Sequence, residues 1–138
     1  METLATVTEQ NIAVVQHAFS DFLKGNIQGI IDACTDDVEW GGYENDVTPI
    51  SGMYHGKVGV ARFFTLLGDN VDYTLFDPRE FFADGKNVFV KGRHEGKAKS
   101  TGKGFAHDFM MQFVITNGKV SYFFAWVDTY DQVKAYSN

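Results

Sequence analysis

The sequence predicts an α+β fold, with three N-terminal helices packed in a strongly curved antiparallel sheet. Two observations point there. Apolar residues in the first half recur every three or four positions, the spacing of a helix face, whereas the second half falls into long strand-like runs separated by tight turns. Long strands twist and curl, which lets one sheet wrap around a small helical layer.

The first helix is expected from Thr6 to Gly25. Thr6 and Glu9 have capping-box spacing, and Ile12, Val15, Phe19, Phe22 and Leu23 share one face. Gly25 ends it, and Asn26 can cap a second, short helix with Ile27, Ile30, Ile31 and Cys34 as its stripe. Cys34 there reads as a packed small hydrophobe rather than a nucleophile. "TDDVEW" (35–40) leads into a short strand, followed by an irregular glycine- and turn-rich stretch. A third helix is expected from about Lys57 to Leu67, burying Val60, Phe63, Phe64 and Leu67. Four strands then form a meander at 71–82, 87–99, 104–116 and 119–128. "ADGKN" (83–87) and "TNGK" (116–119) supply the Gly and Asn that tolerate the positive φ of hairpin turns, and "STGKG" (100–104) makes the third.

A chain of 138 residues suits a single domain, 1–138, with one core. Aromatic residues make up 15%, thirteen of them Phe, an excess that either a Phe-rich core or an apolar ligand cavity would use. The net charge is −6 and no run of four or more Lys/Arg occurs, so neither nucleic acid nor an anionic membrane is expected as a partner. The single cysteine forbids an intramolecular disulfide and fits a reducing compartment. The N-terminus lacks a basic, apolar leader and no segment is long enough to span a bilayer, so a cytoplasmic location is expected. The four histidines lack metal-site spacing, and no GxGxxG, P-loop or serine-elbow motif is present. No metal and no cofactor are expected.

The order of elements, together with "TDDVEWGG" (35–42), "YHGKVGVARFF" (54–64) and "NGKVSYFFAWVDTYD" (117–131), resembles the SnoaL-like branch of the NTF2-like superfamily, near the group called ketosteroid isomerase-related proteins. The resemblance spans nearly the whole chain. It implies a cone-shaped sheet, helices closing one side, an apolar pocket for a small hydrophobic molecule between them, and a homodimer through the sheet that covers exposed strand surface. The fold hosts isomerases, cyclases, epoxide hydrolases and plain binding proteins, so function must be argued from individual residues.

Steroid isomerase itself is disfavoured. The positions that match its catalytic groups hold Trp40, Met111, and Ala18 or Phe19. Cyclases and limonene-type epoxide hydrolases place a carboxylate on the last strand, where this chain has Asp128. Simple alternation puts Tyr122, Phe124, Trp126 and Asp128 on one face; if that face lines the pocket, desolvation makes Asp128 an effective base. The epoxide-hydrolase resemblance adds Trp126-Val127-Asp128, Arg93-His94-Glu95 and Tyr43-Glu44-Asn45, with Glu95 where that family has Asp. It implies that Asp128, Tyr43 and Asn45 hold a water, that Arg93 orients the two carboxylates, and that Glu95 acts as the acid.

The strand pattern offers an alternative for Arg93 and Glu95. Val88, Val90, Gly92, His94, Gly96 and Ala98 share the apolar parity of 87–99, which leaves Arg93 and Glu95 as an ion pair on the outer face unless a bulge at Gly92 turns Arg93 inward. His107 shares the parity of Phe109, Met111, Phe113 and Ile115, and reads either as a hydrogen-bonded core residue or as a catalytic partner across the pocket from Asp128. Residues expected to contact a ligand are Trp40, Tyr43, Asn45, Phe63, Phe109, Met111, Phe124 and Trp126. Two function classes follow: a cofactor-free acid/base enzyme on an apolar, oxygen-bearing molecule, and a non-catalytic binder of a small hydrophobic ligand. An enzyme needs at least two titratable groups converging on the cavity; a binder needs only anchors.

Overall fold

A computed structural model describes residues 4–138. Helix α1 (Leu4–Leu23) and the short α2 (Ile27–Asp32) precede β1 (Cys34–Gly42), β2 (Met53–His55) and α3 (Gly56–Asn70). Then come β3 (Val71–Asp84), β4 (Asn87–Ala98), β5 (Gly104–Thr116), β6 (Lys119–Trp126) and α4 (Thr129–Tyr136). The helices lie against a six-stranded curved sheet of order β2-β1-β6-β5-β4-β3. The α+β class and the four-strand meander are as expected.

Cys34 opens β1 instead of closing the stripe of α2, and the irregular stretch after β1 contains the short strand β2. Three further details differ. The sheet is mixed rather than antiparallel, because β1 joins the meander beside β6 in parallel. Parity and turn chemistry reveal neighbours joined by hairpins, and β1 and β6 are not joined by one. The last strand ends at Trp126, so Asp128 lies beyond it, and residues 129–136 form a fourth helix. Helix α1 includes Leu4, which places Thr6 inside the first turn rather than at its cap.

Local chemistry explains most boundaries. Gly25 stops α1 at φ 74°, and the Asn26 side chain accepts from the Gly29 N–H at 3.2 Å to cap α2. The β5–β6 turn uses Asn117 and Gly118 at φ 51° and 78°, the pair of positive values a two-residue hairpin requires. Cys34 is fully buried, its Sγ donates to Ile30 O at 3.3 Å, and burial pushes the thiol up to about 11, so it packs and does not react.

The core lies between α1–α3 and the concave face of the sheet. Val15 and Phe19 of α1 meet Val88, Val90, Phe109, Phe113 and Ile115 of β4 and β5. On β4 the buried parity is the one the sequence shows, and no bulge intervenes between β4 and β5. On β6 it is not. Val114 faces Tyr122 but Ile115 faces Val120, so Ser121 is an extra residue in β6. That bulge reverses the alternation: after the buried Val120, the inward residues are Phe123 and Ala125, while Tyr122, Phe124 and Trp126 turn to the outer face.

Candidate functional site

The space between helices and sheet retains a cavity of about 120 Å³. Phe19, Phe22, Trp40, Phe63, Phe64, Tyr73, Phe76, Phe113 and Phe123 give it an aromatic lining. Among the expected contacts, Trp40, Tyr43, Asn45, Phe63 and Met111 do line it. Phe109 does not; it is buried beneath, stacked on Phe76 at 5.3 Å. Phe124 and Trp126 lie outside it for the reason given by the Ser121 bulge. They form an aromatic row on the outer face, with Tyr43 edge-on to Phe124 at 4.9 Å and Trp126 4.8 Å from Phe124.

The carboxylates and arginine singled out by the epoxide-hydrolase pattern do not meet at the cavity. Asp128 is the N-cap of α4, its Oδ1 accepting the Asp131 N–H at 2.9 Å. Arg93 points outward: its Nε donates to Glu95 at 2.7 Å and its Nη1 to Asp108 at 3.3 Å. The Glu95 and Asp108 carboxylates hold the guanidinium above its usual value. Asn45 organises its own loop, accepting from the Val47 and Thr48 N–H groups and donating to Thr48 Oγ1 at 2.8 Å. That Asx turn uses the oxygen that would have held a water.

A cap at Asp128 has a direct consequence. Asp128→Ala should destabilise the fold by about 1 kcal/mol, whereas Asp128→Asn, also a good N-cap, should leave the melting temperature nearly unchanged. Equal losses for the two variants in thermal melts would contradict the capping role.

The histidine that lines the cavity is His94. It lies on the apolar parity of β4, is 3% exposed and lines the cavity. Its register partner on β5 is His107. The two Nε2 atoms are 2.7 Å apart, and His107 Nδ1 is 2.8 Å from the Asp131 carboxylate, which also accepts the Ala106 N–H at 3.0 Å. A chain Asp131–His107–His94 therefore runs from the first turn of α4, through β5, to the cavity wall.

The protonation pattern follows from Asp131. Partial burial would raise its pKa, but the hydrogen bonds from His107 and the Ala106 N–H outweigh it and hold the carboxyl below its ordinary value. As a carboxylate it only accepts, so His107 Nδ1–H donates to it. In the tautomer in which His107 Nε2 accepts, His94 Nε2–H is the donor. His94 Nδ1 is left with a free lone pair, and this atom is buried with no hydrogen-bond partner. Burial, then the neighbouring His107, push the His94 pKa down from 6.5 to about 3. Burial also raises the Tyr73 phenol, which stacks on His94 at 5.7 Å.

Two glycines make room for this ring. A Cβ on Gly92 would lie 2.5 Å from Phe109 Cζ, and one on Gly96 3.1 Å from Phe105 Cζ. Their bare backbone lets Phe109 and Phe105 close on His94 from either side, each with its ring centre 5.3 Å away. The sequence signal for this site was Gly92-x-His94-x-Gly96 on an apolar parity, opposite His107 across a hairpin. Asp131 carried no such signal, because its approach depends on α4 folding back. Among the described residues no three His, Cys, Asp or Glu side chains gather as a metal site.

A helix-lined cavity in a curved mixed sheet defines an NTF2-like protein. The chain belongs to the SnoaL-like domain family, whose model matches residues 15–123. Among solved structures it is similar to an NTF2-like protein from Burkholderia xenovorans LB400, with 25% identity and a TM-score of 0.86 over 94% of this chain and 98% of that one. It is similar to TerC, co-crystallised with polyporic acid, at 23% identity and a TM-score of 0.79 over 94% and 99%. A candidate polyketide cyclase from Xanthomonas campestris pv. campestris matches at 15% identity and a TM-score of 0.80 over 94% and 98%. No curated protein matches the chain. No helix among the described residues is long and apolar enough to cross a membrane.

Proposed function

We propose that this chain is a cofactor-free acid/base enzyme that removes a proton next to a carbonyl of a small apolar molecule, with His94 as the base. The observation that supports it is the hydrogen-bonded chain Asp131–His107–His94 ending in an aromatic cavity. In the step proposed, His94 Nδ1 takes the C–H proton while its Nε2–H proton passes to His107 Nε2. The positive charge then rests on His107 against Asp131, not on His94 among Phe76, Phe105 and Phe109, where desolvation opposes it. The electron pair left on carbon moves to the carbonyl oxygen as an enolate. Return of the proton at another carbon completes an isomerisation; attack of the enolate on a second carbonyl gives an aldol-type cyclisation. The second outcome fits the candidate polyketide cyclases among the structural neighbours. The epoxide-hydrolase variant loses support, since Arg93, Glu95 and Asp128 do not converge.

The test is α-proton exchange of 2-tetralone in D2O, followed by proton NMR. The protein should accelerate exchange over buffer, and His94→Phe should lose a factor of about 10² to 10⁴. Binding of the ketone without any acceleration would instead favour a non-catalytic carrier. That second reading is supported by the lining residues Asn45, Thr48 and Ser51, whose hydrogen bonds are made within their own loop.

We also propose that a second copy covers the outer aromatic row. Tyr43 is 64% exposed and Trp126 36%, beside Tyr122 and Phe124, a patch that charged surface would normally interrupt. Light scattering at micromolar concentration should return twice the chain mass, and Trp126→Lys should halve it; a monomer would rule this out.

A further inference from the structure

Helix α4 is held mainly by hydrogen bonds. It has eight residues and only Ala135 is buried, with Tyr136 partly buried against the same cluster. A helix of that length is marginal in water by itself, so its contacts with the rest of the fold must sustain it. Asp128 caps its N-terminus. The last carbonyls of a helix lack partners within it, and here the β4–β5 turn supplies them. Thr101 Oγ1 donates to Ala135 O, and Lys103 Nζ donates to Ser137 O at 2.6 Å. The Tyr136 hydroxyl donates to Asn70 O at 2.8 Å. Between the two ends, one oxygen of Asp131, Oδ2, receives both the Ala106 N–H and the His107 Nδ1–H.

The same short segment borders the cavity, which Val127, Thr129 and Gln132 line. Strand β6 pairs with β5 only between Met110 and Thr116. Among the described residues no strand follows it along the 104–109 edge of β5, and α4 provides the acceptor there. Val127 and Asp128 belong to neither β6 nor α4, and such element-terminal positions absorb hinge motion. A segment with little buried apolar surface opens at a free energy well below that of global unfolding. We propose that α4 is a lid: it detaches and unfolds locally on an intact sheet, and in docking it closes one wall of the cavity and delivers Asp131 to His107 in the same step. Thr101 and Lys103, outside the cavity, are positioning residues that hold it shut. The lid stands without the enzyme reading, whereas the claim that its closure completes a catalytic chain rests on that reading.

The reporter is the Ala106 amide, because its acceptor is the same Asp131 oxygen that His107 uses. Amide hydrogen exchange of the full chain is followed by NMR in rising urea, below the unfolding transition. Ala106 should be about tenfold or more less protected than Val90, which is buried in the middle of β4. Its rate should hardly respond to urea, since little surface opens, while that of Val90 should rise steeply. The Gln132 N–H, bonded to Asp128 O at 3.1 Å, should match Ala106, because so short a helix does not survive off the sheet. Thr101→Val should speed Ala106 exchange about fivefold, and Thr101→Ser should restore it. Ala106 protection equal to that of Val90, with the same urea slope, overturns the lid. Fast exchange at Ala106 with Gln132 still protected overturns it too, and an inert Thr101→Val overturns the part given to the turn. The outcome separates from that of the mechanism. Local opening without tetralone exchange refutes the enzyme and leaves the lid standing; tetralone exchange with Ala106 protected like Val90 refutes the lid alone.

Discussion

Replacing His94 with phenylalanine should remove most of the acid sensitivity of the fold. Between the ordinary histidine value of 6.5 and about 3, the unfolded chain binds a proton that the folded His94 refuses. Stability contributed in this way is present above 6.5 and is lost as pH falls, by up to about 1.4 kcal/mol per pH unit. The groups facing His94 are His107 and, through it, Asp131, with Arg93 adding a smaller repulsion. Asp131, whose folded pKa is lowered from 3.8, loses its own contribution in the same direction but only at lower pH. At neutral pH the variant should be less stable by about 1 to 3 kcal/mol, because His107 Nε2 is left buried without a partner. The two proteins should therefore converge on acidification. Urea midpoints measured at about pH 7, 6 and 5 check this, and parallel pH profiles would show that His94 does not exclude the proton.

Gly92→Ala should cost about 3 kcal/mol or more. The added Cβ would lie 2.4 Å from Asp77 O and 2.9 Å from Pro78 Cα, both on the neighbouring β3 backbone, and 2.5 Å from Phe109 Cζ. A flexible side chain could yield at such distances, but a paired backbone cannot move without opening the β3–β4 ladder. Phe109 would be pushed off His94, so the variant should also lose the acid-sensitive leg described above. Chemical denaturation of the purified variant measures the first effect. By contrast Gly102→Ala, in a turn with nothing within 4 Å of the new Cβ, should cost less, limited to the strain of its φ of 75°.

Much of this could be read from residues alone because it is set locally. The stripe Val15–Phe19–Phe22 commits α1 to one buried face, and Asn117-Gly118 commits β5 and β6 to a hairpin. The β4 parity allows Arg93 and Glu95 on the outer face, and the unbulged β4–β5 register places them there. Simple alternation failed on β6, where Ser121 adds one residue and exchanges the faces of everything after it. A bulge changes no residue type, so the pattern Tyr122, Phe124, Trp126 looked like a pocket wall when it is the outer surface. The resemblance to enzymes with a carboxylate on the last strand reinforced that error, because it transferred a role to Asp128 that the local chain uses for a helix cap.

The sequence by itself determined the fold class, the three N-terminal helices, the four-strand meander with its hairpin turns and the aromatic material for a cavity, since each depends on spacing along the chain. Only the tertiary structure decided which titratable groups meet. His94 comes from β4, His107 from β5 and Asp131 from α4, and they are joined by a hairpin register and by a helix that folds back across the sheet. Hydrogen bonds of 2.7 and 2.8 Å between residues 13 and 24 positions apart are set by that packing, not by any motif. The same packing seals His94 Nδ1 from water. That burial is what pushes the pKa of an ordinary histidine down.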